Sequence, residues 1–104
     1  ATAKDERRLD LKISVSYEAN LKEAKSLIEK IVTEDPCVMQ DKEILVFVDN
    51  LAESAVVIGA RAWVRNEEFW PTKWRILEEI KLKLDENGIA IPYPQVTVHM
   101  QEKK

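Results

Sequence analysis

Glycine is nearly missing from this chain, with only Gly59 and Gly88 among 104 residues. Phosphate-cradling loops need several glycines at set spacing, so nucleotide binding of that kind is excluded. Histidine is scarcer still. His99 stands alone, with no cysteine, second histidine or acidic cluster at ligand spacing, which leaves no metal set and no basis for a Ser/His/Asp or Cys/His nucleophile. The one cysteine, Cys37, has no partner for an internal disulfide, which fits a reducing compartment, and beside Pro36 it reads as a small semi-buried residue. Basic residues are not in surplus either: 16 Lys and Arg face 19 Asp and Glu, for a net charge of −3. Phosphate-backbone binding needs a basic footprint, so no nucleic-acid partner is expected. No apolar run approaches the roughly 20 residues that span a bilayer. The longest, Ile44–Val48 and Ala55–Ala60, are strand-length, and the charged N-terminus lacks the basic-then-apolar pattern of a secretory leader. Glu67-Glu68 and Glu78-Glu79 fall at a helix approach and on a wet helix face, where carboxylates are solvated. These absences together predict no cofactor, no metal, no enzyme and no direct membrane insertion by these residues.

What is present is an ordinary globular composition, 45% apolar and 34% charged, enough for one domain with a single core. Leu9, Leu11, Ile13 and Val15 alternate with Asp10, Lys12 and Ser14, the period-two pattern of a strand with one buried face. Asn20, with Glu23 three residues on, opens a helix whose apolar stripe is Leu21, Ala24, Leu27, Ile28 and Ile31. Asp35-Pro36 stops it. Ile44–Leu51 and Val56–Val64 read as two strands joined through Ala52-Glu53-Ser54. Pro71 suits the first turn of a second helix, with Trp70, Trp74, Ile76, Leu77, Ile80 and Leu84 expected on one side and Asn87-Gly88 as its cap. Val96, Val98 and Met100, alternating with Thr97 and His99, form a last strand. The order β-α-β-β-α-β predicts an α+β, ferredoxin-like arrangement, with two helices on one face of a mostly antiparallel sheet.

That arrangement leaves one sheet face without helices, and the sequence does not make all of it wet. The second strand carries Ile44, Val46 and Val48 on one side and Leu45, Phe47 and Leu51 on the other. The third sets Val56, Ile58, Ala60, Ala62 and Val64 against Val57, Gly59, Arg61 and Trp63. A solvated antiparallel face is expected to alternate cleanly, and only the first strand does. Either Trp63 and Arg61 shield the aliphatics beside them, or part of the open face docks against another domain or subunit. Leu82 also lies off the main stripe of its helix. An RNA-binding module of this element order would stack bases on aromatics of its first and third strands. Here the first strand offers none and the third only Trp63.

The run Gly88-Ile89-Ala90-Ile91-Pro92-Tyr93-Pro94-Gln95 carries most of the functional signal. Two prolines flank one tyrosine, pushing Ile91 and Tyr93 toward extended backbone and removing two donors. The result is a stiff strut that leaves a helix and delivers a strand at a distance. The expected division is a lead-in over 1–7, an α/β domain over 8–88, the strut over 89–95, and the terminal strand and tail over 96–104.

Together with Arg8-Leu9…Val15-Ser16-Tyr17-Glu18 and Arg61-Ala62-Trp63-Val64, this string resembles the C-terminal cytoplasmic domain of small-conductance mechanosensitive (MscS-type) channels, from about Arg8 to Met100. The resemblance implies a homoheptamer in the cytoplasmic membrane, opened by bilayer tension to release solutes during hypo-osmotic shock. It further implies a hollow cytoplasmic cage whose lower wall is built from these domains and whose base is a small parallel β-barrel. On that model Pro92, Tyr93, Pro94 and Gln95 form the strut and Val96, Val98 and Met100, with Thr97 and His99, the exported barrel strand. Pro92 through Val96, Val98 and Met100 are then the expected oligomer interface. The implied partners are further copies of the chain and the preceding β-domain. The family's membrane helices and middle β-domain are absent from these residues, so the expectation is a cytoplasmic part that neither gates nor conducts by itself. The residues alone leave one other function open, a free-standing regulatory domain binding a small molecule.

Overall fold

The computed structural model describes residues 5–92 and comprises, in chain order, β1 (Glu6–Val15), α1 (Leu21–Glu34), β2 (Leu45–Leu51), β3 (Val56–Arg65) and α2 (Phe69–Glu86), with a 3-10 turn at Asn66–Glu68 before α2. The α+β expectation holds. The three described strands form one antiparallel sheet in the order β1-β3-β2. The sequence-predicted fourth strand, Val96–Met100, lies outside the described residues, and so does His99.

Alternation in β1 does what period two requires. Leu9, Leu11, Ile13 and Val15 are buried on the helix-covered face, opposite Ala62, Ala60, Ile58 and Val56 of β3. The strand begins at Glu6, earlier than its apolar pattern, so Glu6 and Arg7 of the expected lead-in already pair with Arg65 and Val64. Asn20 caps α1 through its Oδ1, which accepts the Glu23 backbone N–H at 3.1 Å. From there Ala24, Ile28 and Val32 recur every fourth residue as the fully buried line, flanked by half-buried Leu21, Leu27 and Ile31. Pro36 cannot continue the helix, and the chain turns at Asp35.

The second helix corrects the expected stripe. Its buried residues are Phe69, Thr72, Ile76, Ile80 and Leu84, whereas Trp70 and Trp74 are 48% and 62% exposed. At about 100° per residue, Trp74 stands two residues, roughly 200°, from both Thr72 and Ile76. Helical phase therefore places it across the helix from the core, and hydrophobicity alone misassigns it. Pro71 does fall in the first turn, where a missing donor leaves no helical bond unmade.

A second correction concerns β2. The register against β3 shifts between Val48 and Asn50, so Leu51 comes opposite Val56 and not onto the face of Leu45 and Phe47. Leu51 is exposed all the same. The connection before β2 was silent in the sequence. Val38 is buried through a bridge to Val64, and the Met39 N–H donates to the Trp63 carbonyl at 2.9 Å.

The α2 phase makes a sharp contrast between neighbours. Ile76→Ala is expected to cost about 2–5 kcal/mol by opening a cavity in the core. Trp74→Ala, two residues away, should cost less than about 1 kcal/mol, as exposed sites do. Urea unfolding of the two variants followed by circular dichroism checks this.

Candidate functional site

The chain enters the sheet at Glu6, beside Arg65, and β1 runs to Val15, beside Val56. β3 returns to the entry end, and α2 leaves from there for the far end. The end of α2 thus delivers the strut opposite to where the chain came in.

That delivery is tightly built. Gly88 adopts φ +72°, the left-handed region that residues with a Cβ rarely occupy. Its N–H donates to the Asp85 carbonyl at 3.1 Å, and the Ile89 N–H reaches back to Leu84 at 2.9 Å. This is the paired bonding of a Schellman cap, and its usual hydrophobic contact is met by Ile89 and Leu84, both buried. One residue on, the Ala90 carbonyl accepts the Ser16 N–H at 3.0 Å, fastening the start of the strut to the end of β1. Tyr17 crosses the same end, its hydroxyl donating to the Ala52 carbonyl in the β2–β3 turn. Ile91 is exposed and Pro92 half-buried where the described chain ends. Of the expected interface, Tyr93, Pro94, Gln95, Val96, Val98 and Met100 lie outside the described residues.

On the open sheet face, charge covers much of the apolar surplus. The Asp10 carboxylate takes the Nε atoms of Arg61 and Arg8, each at 3.0 Å. Lys12 bridges to Asp49 at 3.0 Å and Lys42 to Glu6 at 3.1 Å. The Arg61 guanidinium lies 5.5 Å from the centre of the Phe47 ring, and the Lys42 ammonium 5.9 Å from that of Trp63. Phe47 lies directly on Gly59, where a Cβ would meet its ring at 2.6 Å, which explains a glycine in a central strand. Burial pushes the Asp10 carboxyl up, but hydrogen bonds from Arg61 and Arg8 and the two positive charges outweigh it, holding it below the ordinary carboxylate value.

Between the helices, Asp35 is buried and takes the Arg75 guanidinium in a two-pronged pair at 3.0 and 2.7 Å, while its Oδ1 also accepts the Cys37 N–H at 2.9 Å. The hydrogen bonds that Arg75 donates to Asp35 raise its pKa further above its already high value. The pair has no local sequence signal, since its acid and base stand 40 residues apart. The pair borders a groove of about 500 Å³ floored by Leu27, Ile31 and Ile76 and rimmed by Glu34, Lys83 and Arg75. Among the described residues no cluster of His, Cys, Asp and Glu could hold a metal, and no helix is long and apolar enough to cross a membrane.

The fold defines an α+β domain that takes its chain in at one end, at Glu6, and releases it from α2 at the other, beside Ser16. The family model for the C-terminal part of the mechanosensitive ion channel MscS matches residues 9–91. An MscS family protein of Archaeoglobus fulgidus is 37% identical over 92 residues, covering 88% of this chain and 32% of the relative. The small-conductance mechanosensitive channel of Edwardsiella ictaluri is 29% identical over 96 residues, covering 92% and 34%. Among solved structures, closed-state Helicobacter pylori MscS superposes with a TM-score of 0.80 at 20% identity, over 88% of this chain and 36% of that one. Arabidopsis thaliana MSL1 gives 0.74 at 14% identity, over 86% and 35%. The chain belongs to the MscS family of mechanosensitive channels, in its C-terminal domain, and spans about a third of the length of the curated relatives it matches.

Gly88→Ala is expected to cost about 1 kcal/mol from backbone strain alone, since no atom lies within 4 Å of the added Cβ. Faster hydrogen exchange at the Ser16 amide would report the loosened strut. For Asp10, a lowered folded-state pKa means its contribution is present above the unfolded value of about 4 and is lost as pH falls through the folded one. The Tm gap between the native chain and Asp10→Asn should therefore narrow on acidification from pH 7 toward pH 2, read by thermal circular dichroism.

Proposed function

We propose that this domain is a wall and assembly module of the cytoplasmic cage of a tension-gated MscS-type channel. In this reading the strut carries Val96–Met100 away from its own sheet to a parallel β-barrel made with copies of the same chain. The observation that supports it most is the capped exit at Gly88–Ala90. A Schellman cap, a buried Ile89 and the Ser16–Ala90 bond fix the point at which the chain leaves α2, and Pro92 and Pro94 favour extended backbone in sequence terms. Alternation of Val96, Val98 and Met100 with Thr97 and His99 suits a barrel strand with distinct inner and outer faces.

The full assembly is a homoheptamer at the cytoplasmic face of the cell membrane, with a preceding β-domain between this domain and the pore. Its physiological work is solute release under hypo-osmotic shock. The domain itself acts by shape and assembly, without catalysis or cofactor. A regulatory small-molecule role would use the groove between the helices, but its rim pairs Asp35 with Arg75 and presents mixed charges to solvent, and no observation favours it.

Sedimentation velocity over a concentration series tests the export of the last strand. The chain should self-associate, and Pro92→Ala with Pro94→Ala together should weaken association while leaving the unfolding transition in place. A strict monomer, with the amides of 96–100 equally protected from exchange at every concentration, would overturn the reading.

A further inference from the structure

The entry end carries a feature that the exit path does not use. Phe69, Trp70 and Trp74 open α2 as a continuous aromatic ridge, with Phe69 edge-on to Trp70 at 5.1 Å and Trp70 beside Trp74 at 5.9 Å between ring centres. Phe69 roots the ridge in the core, while the two tryptophans stand largely in solvent. The Arg7 guanidinium lies over Phe69 at 3.9 Å and reaches Trp70 at 5.8 Å, and the Lys73 ammonium lies 5.3 Å from Trp70. Helix propensity does not call for adjacent tryptophans at i and i+4 on a wet face, and the core gains little from them.

We infer that this ridge is the seat of the polypeptide that precedes the domain within the same subunit. Three observations select that occupant. Arg7 is the second residue of β1, so a preceding segment departs from within one or two residues of the ridge itself. The chain leaves α2 at the opposite end, where Ala90 lies beside Ser16, so the point of exit is remote from the ridge. The matched relatives are about three times as long as this chain, and the matching model describes their C-terminal part, so most of each relative lies on the entry side.

Area decides against a free partner. Two half-exposed tryptophans present on the order of 250 Å², well below the roughly 500 Å² per side that a stable free-standing interface takes. A covalently attached neighbour needs far less, because a short tether holds it at an effective concentration in the millimolar range. The two cations add a preference for a surface offering carboxylates or backbone carbonyls.

The inference rests on the reading above only in taking a preceding domain as part of the subunit. It is independent of where the last strand goes, so a failure of terminal-strand association would leave it standing. Hydroxyl-radical footprinting, read residue by residue by mass spectrometry, tests it on the isolated domain and on the full-length subunit, with half-buried Trp63 as internal reference. Oxidation of Trp70 and Trp74 should fall severalfold in the full-length subunit relative to Trp63. In that subunit, Trp70→Ala with Trp74→Ala together should raise protease cleavage just before Glu6, while the isolated double variant keeps its unfolding transition. Equal oxidation in both forms would overturn the inference. So would protection that appears in the isolated domain only as concentration rises, which would make the occupant a second copy, or protection that requires added lipid vesicles.

Discussion

Everything in this domain hangs on β3, the one described strand paired on both sides. It aligns β1 and β2, and its helix-facing row runs Val56, Ile58, Ala60, Ala62 and Val64, all buried. The small alanines sit opposite Leu11 and Leu9 of β1, so the layer stays thin enough for Ile28 of α1 and Ile76 and Ile80 of α2 to pack over it in one core. On the other face Gly59 leaves room for the Phe47 ring to lie flat on the strand. A larger residue at any of these positions would displace a helix or a ring, and with it the ends of the domain.

Those ends are where the chain enters and leaves the domain. Because β1 runs one way, and β3 followed by α2 runs out and back, entry and exit fall at opposite poles. The exit pole is rigid through hydrogen bonds and a positive-φ glycine; the entry pole offers aromatic surface and cations. The pair of buried Asp35 with solvent-facing Arg75 ties the turn after α1 to α2 near the middle of this path. Removing one member of such a pair is worse than never having built it, because the other is left uncompensated. The pair therefore favours one seating of α2, the element that sets both poles.

On the open sheet face, charged side chains lie over much of the apolar surplus. Its aromatics are overlaid by long cationic side chains, and those cations are in turn held by Asp10 and Glu6. Such exposed pairs contribute little stability individually. Their effect here is geometric, since they pin the methylene stems of Arg61 and Lys42 over hydrophobic surface.

Local sequence was sufficient wherever a rule acts over a few residues. The alternation in β1, the Asn20 cap, the stop at Asp35-Pro36, the hairpin and the Gly88 cap were all legible, because each depends on steric or hydrogen-bonding preferences within one turn or one strand. The string from Gly88 to Gln95 was distinctive enough to point to the family before any coordinates. Other features needed the third dimension. Trp70 and Trp74 looked like core by composition, and helical phase set by Ile76 and Ile80 placed them outside. Leu51 changed face because a register shift, invisible in the one-dimensional pattern, inserts one residue into β2. Asp35 and Arg75 met across 40 residues, and Val38 found Val64, through packing that no local preference encodes. Sequence by itself determined which elements form and where they stop, since those are short-range energies. Only the tertiary structure decided which residues face one another and which end of the domain each presents, because those follow from the mutual packing of all five elements at once.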